Sequence, residues 1–261
     1  HLHSNLVHEE TKPMTEKPYG LICPISKACE MLEPRWTVQI LTELWNGSTR
    51  FNEIRRGVGH ISPGLLSKRL RELEINGLVE RVEDTATGHV DYIRTQKAID
   101  LEPALNALAV WAQRNIEANA MLCDSDASAL MWGLRRKVVV DEFPLRRVVI
   151  RFHLKDAKPP MDKYWMMVQP GAEVELCISD PGFDVDIYVE TSVRSLGGVF
   201  NGRTTYAREI DSGALFLSGD ARLARTIDRW LERCEYAEID GILTLPREAK
   251  AADKGPVAAA I

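Results

Sequence analysis

Residues 50–81 read RFNEIRRGVGHISPGLLSKRLRELEINGLVER, and the fold is decided there. The stretch contains two short amphipathic helices joined by a tight turn. Ser62 is a strong N-cap and Pro63 takes the first helical position, where a missing N–H costs nothing. Leu66, Leu70 and Leu73 recur at i, i+4, i+7 and make one buried stripe, and Asn76-Gly77 closes the helix with a left-handed cap. Facing away from the stripe are Pro63, Gly64, Ser67, Lys68 and Arg71. These are small or basic residues, suited to close approach to a phosphate backbone and a major-groove floor. In isolation the same pattern is equally that of a surface helix with a solvated basic face, so the neighbouring segments carry the decision.

Beyond Gly77, Leu78 to Val82 is strand-like. A polar turn spans Asp84 to Gly88, and a second extended run follows from His89 to Arg94, which together read as a hairpin. Upstream, Arg35 to Trp45 forms another amphipathic helix with Trp36, Ile40, Leu41 and Leu44 on one face and Gly47 as its stop. Helix, helix, turn, helix, hairpin is the order of a winged helix. Downstream, Thr95 to Met121 reads as one long helix with Leu101, Leu105, Leu108, Val110 and Trp111 at its apolar positions.

With Cys23-Pro24-Ile25, Arg35-Trp36-Thr37, Arg50-Phe51-Asn52-Glu53-Ile54, Ile61-Ser62-Pro63, Leu66-Ser67, Gly77-Leu78-Val79, Arg81, Tyr92, Thr95 and Trp111 in this order, residues 20 to 120 resemble the HxlR family of bacterial winged-helix transcription regulators. The resemblance implies a homodimer on an inverted-repeat, double-stranded DNA operator, with the first helix and the long terminal helix forming the dimer contact. Two positions depart from the family pattern. Glu33-Pro34-Arg35 stands where many relatives carry Gly-Gly-Lys, and Gly64 replaces a bulkier, often basic residue, which removes one potential DNA contact.

The net charge of −5 opposes DNA binding at first sight, because counterion release rewards basic surfaces. Between Arg50 and Arg71 the balance reverses: Arg50, Arg55, Arg56, Lys68, Arg69 and Arg71 face a single acid, Glu53. A basic face on an acidic chain suits one operator and disfavours indiscriminate coating of DNA. Five cysteines without CxxC spacing argue for a reducing compartment and against a disulfide framework or zinc site. Residues 1–13 lack the apolar core of a secretory signal, and no apolar run is long enough to span a bilayer, so the expected location is cytoplasmic.

Around Cys123 to Asp126 the leucine-rich pattern stops and the period changes. Val148, Ile150 and Phe152, then Val174, Leu176 and Ile178, then Val185, Ile187 and Val189 each alternate with polar residues, and Tyr164 to Val168 is apolar on both faces. An antiparallel sheet is expected, with Asp180-Pro181-Gly182 as a turn. Helices follow at 192–200, 204–209 and 221–235. Residues 130–236, through Asp186 to Thr191, Asn201-Gly202 and Leu215 to Asp220, resemble the sterol-carrier-protein-2 fold. That resemblance implies a five-stranded α/β domain around an apolar tunnel for a hydrophobic small molecule. Phe152, Trp165, Met167 and Phe200 are the large apolar residues best placed to line it, although period alone leaves open which face looks inward. The alternative is a filled core that serves packing only.

The expected class is therefore α+β. A tail at 1–19 precedes a winged-helix DNA-binding and dimerisation domain at 20–122. A sterol-carrier-like ligand domain follows at 127–247, then a second tail at 248–261. Ser62 and the N–H groups at the start of its helix are expected to take a phosphate. Ser67, Lys68 and Arg71 are assigned to base edges or nearby phosphates, and Arg50, Arg55 and Arg56 to the backbone. The wing tip Thr87-Gly88-His89 is assigned to the minor groove.

No catalytic constellation, phosphate loop or metal-ligand spacing emerges, so neither an enzyme nor a cofactor is expected. Cys23 is the one candidate for chemistry: before Pro24, at a helix N-terminus, its thiol pKa should fall. Some members of the resembled family sense electrophiles or oxidants with a cysteine at this place; the alternative is a buried packing residue. The leading reading is a ligand-responsive repressor. The competing one is a hydrophobic-ligand carrier or enzyme whose winged helix serves only assembly.

Overall fold

The structure is a computed structural model, in which residues 18–246 are described. Compact units of residues 1–105 and 106–261 divide the chain. Residues 1–17 and 248–261 of the expected tails lie outside the described residues. At the edge of the first tail, the Tyr19 N–H donates to the Glu30 carboxylate at 2.9 Å, tying this residue to the first helix.

In the first unit the order is α1 (Pro24–Leu32), α2 (Thr37–Trp45), α3 (Phe51–Val58), α4 (Pro63–Ile75), β1 (Val79–Asp84), β2 (His89–Arg94) and α5 (Gln96–Ile99). Helix α2 begins two residues later than expected, because Trp36 takes the left-handed region at φ 83°. The Ser62 hydroxyl accepts from the Leu65 N–H at 3.3 Å. At the other end of α4, Gly77 (φ 66°) donates to Glu74 O and Leu78 donates to Leu73 O, each at 2.9 Å, which satisfies the last carbonyls of the helix. Leu66, Leu70 and Leu73 pack with Ile40, Leu41, Leu44, Ile54 and Leu78 in one core. Antiparallel strands β1 and β2 pair from Val79–Arg94 to Asp84–His89. These elements form a winged helix-turn-helix.

The expected continuous helix at 95–121 is three helices: α5, α6 (Glu102–Asn115) and α7 (Ala118–Met121). Pro103, which lacks an N–H, sits in the first turn of α6, where it is tolerated only if the helix starts anew. Beyond Asn115 the carbonyl of Ile116 accepts from the Arg203 side chain.

The second unit opens within α6 and continues through α7 and α8 (Ala127–Leu134) to a mixed sheet. Its strands are β3 (Val148–Leu154), β4 (Lys163–Val168), β5 (Glu175–Cys177), β6 (Ile187–Thr191) and β7 (Phe216–Gly219), in the order β5-β4-β3-β6-β7. All pairs are antiparallel except β3–β6, which is parallel, so the expected antiparallel sheet is a mixed one. Helices α9 (Val193–Phe200) and α10 (Tyr206–Asp211) precede β7, and α11 (Ala221–Arg225) and α12 (Ile227–Trp230) follow it. The helix expected at 221–235 ends early because the chain is drawn into extended pairing: Val139 N–H donates to Trp230 O and Glu232 N–H to Lys137 O, each at 2.9 Å. Even-numbered β3 residues Val148, Ile150, Phe152 and Leu154 share one core with Met131, Leu196, Leu223 and Trp230 of the helices. Among the described residues no helix is long and apolar enough to cross a membrane.

Candidate nucleic-acid interface

The first turns of α4 stand clear of the core. Ser62, Pro63, Gly64, Ser67, Lys68 and Arg71 are all exposed, while Leu66 and Leu70 beneath them are fully buried. Three backbone N–H groups at this helix start have no intrahelical acceptor, and one of them is taken by Ser62. Lys68 Nζ lies 3.9 Å from Glu72 Oε1, a surface pair that a phosphate can displace at little cost. Arg71 makes no ion pair or hydrogen bond among the described residues, and the same holds for exposed Arg55.

Arg69 has a different part. Its Nε donates to Arg35 O at 3.0 Å and its guanidinium pairs with Glu72, so it tethers α4 to the start of α2. The turn before α3 is held by Glu53, whose carboxylate accepts from the N–H groups of Thr49 and Arg50, both at 3.2 Å. Helix α2 crosses α3 at Gly57, where an added Cβ would meet the Glu43 carboxylate at 1.9–2.2 Å. That close crossing fixes the end of α3 that carries Arg55 and Arg56.

Arg50 lies beside the hairpin instead of standing free. It forms a bridge with Asp91 of β2, and its Nε is 3.8 Å from the Asp91 carboxylate, which also accepts from the Thr49 hydroxyl at 2.6 Å. Asp91 and Glu72 are thus the acids that compete with phosphate for Arg50 and Lys68. The sequence reading missed both, because Asp91 lies 41 residues beyond Arg50 and Glu72 lies just past the stretch in which charges were compared.

At the wing, Thr87, Gly88 and His89 are exposed, and Gly88 has φ 71°. The Thr87 hydroxyl donates to the Asp84 carboxylate at 2.7 Å and the Ala86 N–H donates at 2.9 Å. In that order these bonds hold the Asp84 carboxyl below the usual carboxylate range. The one acid at the tip is therefore folded back into the turn.

Cys23 is exposed at the N-cap of α1. Hydrogen bonds from the backbone of Ser26, then of Ile25, hold its thiol below the ordinary cysteine value.

The four residues expected to line a ligand cavity do not converge. Phe152 is fully buried in the helix-facing core, and Phe200 packs against that core. Trp165 and Met167 pair across the strands with Arg151 and Val149 and so take the opposite face of the sheet.

Residues 31–120 match the HxlR-like helix-turn-helix family. An uncharacterized HTH-type transcriptional regulator of Bacillus subtilis (strain 168), YvaP, is 37% identical over 99 residues, which are 37% of this chain and 91% of that protein. The chain belongs to the HxlR-like helix-turn-helix family. It is a DNA-binding, HTH-type transcriptional regulator. YodB of the same organism, another HTH-type transcriptional regulator, is 33% identical over 107 residues, or 40% of this chain and 96% of that protein. The solved reduced form of YodB is 32% identical with a TM-score of 0.34, covering 37% of this chain and 97% of that one.

Proposed function

We propose that this HxlR-like protein is a cytoplasmic repressor that binds an inverted-repeat operator as a homodimer. It acts by binding, without catalysis, and a small molecule held by its second unit modulates it. The reading is carried by one observation: the exposed start of α4 sets Ser62, Pro63, Gly64, Ser67, Lys68 and Arg71 over a fully buried leucine stripe. Gly64 leaves the backbone open to a close approach, and its Cβ position has no neighbour within 4 Å. In this reading α4 enters the major groove, Arg50, Arg55 and Arg56 hold the backbone, and Thr87 to His89 reach the minor groove. The dimer contact is supported by large apolar residues left exposed on α1 and α6: Ile25, 74% exposed, and Leu108 and Trp111, 58% and 57%. Kinship of the second unit to the sterol-carrier-protein-2 fold is supported by its five strands with helices packed on one face.

The test is a gel-shift titration at fixed salt on DNA from beside the protein's own gene. Lys68→Ala and Arg71→Ala are each expected to weaken binding about tenfold or more, with melting temperature unchanged, since both side chains are exposed. Unaltered affinity in the double variant would remove α4 from the interface.

A second reading concerns Cys23, whose exposed thiol and lowered pKa favour reaction with electrophiles. Under it, modification of Cys23 changes operator affinity, and Cys23→Ser abolishes that response while leaving DNA binding intact.

A further inference from the structure

The face of the sheet turned away from the helices carries two buried hydrogen-bond donors that make no hydrogen bond. Arg151 lies at the centre of the middle strand, β3. Its register partners are Trp165 on β4 and Tyr188 on β6. The guanidinium carbon is 5.8 Å from the Trp165 ring centroid and 5.7 Å from that of Tyr188, so the cation is flanked by a ring on each side. Both Arg151 Nε and Trp165 Nε1 are buried without a hydrogen-bond partner. Buried donors are nearly always paired, and leaving one unmade is costly.

Two nearby acids are committed elsewhere, and a third, exposed Glu175, stands on the edge strand β5 as the register partner of Met167. Glu190 pairs with Lys155 at 3.6 Å, and Asp162 stands 3.7 Å from Lys163 and 3.9 Å from His153. Along the strands the two donors have Val149 and Met167 on one side and His153, Lys163 and Glu190 on the other. Trp165 and Val149 are 7% and 2% exposed, yet neither belongs to a core cluster, and half-buried Met167 stands beside them as the partner of Val149. A cation flanked by two rings, with its buried Nε and the neighbouring indole N–H both unpaired, selects for a flat anion. We infer that this face binds a planar aromatic carboxylate. The carboxylate accepts from Arg151 and Trp165, and the ring lies against the aromatic and thioether side chains of the face. The fork of the guanidinium and its unpaired Nε suit two carboxylate oxygens better than a point charge would. The site stands whether or not DNA binding responds to it, and a failed operator assay would leave it untouched.

Isothermal titration calorimetry of the full chain with 1-naphthoate, and separately with the uncharged 1-naphthamide, tests it at fixed ionic strength. Saturable binding of the acid is expected, with the amide weaker by about tenfold or more. Arg151→Met should abolish the difference between the two compounds, and Arg151→Lys should recover part of it. Should Arg151→Met fail to fold by circular dichroism, Trp165→Phe carries the test. It keeps a ring and deletes one donor, so a several-fold loss for the acid is expected. Equal binding of acid and amide, no binding of the acid, or an unchanged affinity in Arg151→Met each overturns the proposal. If the acid does not bind and Arg151→Glu dissociates the protein in sedimentation, a second copy of the chain covers this face instead.

Discussion

Two exposed thiols in this chain are pushed in opposite directions by groups within three residues of each. At Cys23 the backbone of Ser26 and Ile25 favours the thiolate; at Cys123 the hydrogen bond to the Asp124 carboxylate, followed by its charge, favours the thiol. Alkylation with iodoacetamide, followed residue by residue by mass spectrometry across a pH series, should therefore begin at lower pH for Cys23 than for Cys123. Coincident profiles would show that the N-terminus of α1 does not stabilise the thiolate. Residues like these are legible in sequence because cause and effect are neighbours, as are Ser62 capping α4 and Gly77 closing it. Arg203 is the opposite case. It is fully buried, and its guanidinium donates to Ile116 O at 2.9 Å, Leu243 O at 2.8 Å and Ala112 O at 3.3 Å. Burial holds its pKa below the ordinary arginine value. Its acceptors are backbone carbonyls 40 to 91 residues away, which no local pattern announces.

Among the elements, those from α2 to β2 follow from capping, leucine spacing and one glycine turn, and the hairpin closes around the expected turn. The misread elements are those whose ends are set by distant backbone. Helix α6 is the instructive one. The carbonyls of Ala112 and, just past the helix, Ile116 accept from Arg203, and of the apolar positions expected on this helix Leu105 is half-buried. Leu108 and Trp111 remain exposed and share a face at i, i+3. Leu108→Glu should therefore raise the dimer dissociation constant about tenfold or more, read by sedimentation, and weaken operator binding in parallel. An unchanged dimer would move the interface away from α6. The same reasoning explains the ligand residues: alternation identified Phe152 as a strand residue, and a run apolar on both faces did so for Trp165 and Met167. Only the β3–β4 register, pairing Trp165 with Arg151 and leaving Phe152 opposite Tyr164, shows that they divide between two faces.

At the scale of the whole molecule, the sequence suggests a boundary at 123–126, where the leucine pattern stops. The compact units divide earlier, between Leu105 and Asn106. The reason is polar. Gln113 Nε2 donates to Asn201 O at 2.7 Å and to Tyr236 O at 3.0 Å, Arg114 Nε to Asp240 O at 2.8 Å, and Tyr236 bonds Asn106. A fragment of residues 102–246 should unfold cooperatively. One of residues 125–246 removes two of the three acceptors of Arg203, and each unpaired buried donor costs about 1–3 kcal/mol. It should be unfolded, or melt well below the longer piece by calorimetry. Equal melting temperatures would show that α6 and α7 are dispensable to the sheet.

That division bears on how such a protein can be recombined. YvaP is matched over 91% of its length by about a hundred residues of this chain. Splicing a different sensor onto the end of the family-matched region, at residue 120, would carry Gln113, Arg114 and the carbonyls of Ala112 and Ile116 into the hybrid without their counterparts. The family-matched region and the second compact unit overlap from Asn106 to residue 120, through most of α6 and α7. A working chimera has to choose its seam inside α6, upstream of Asn106.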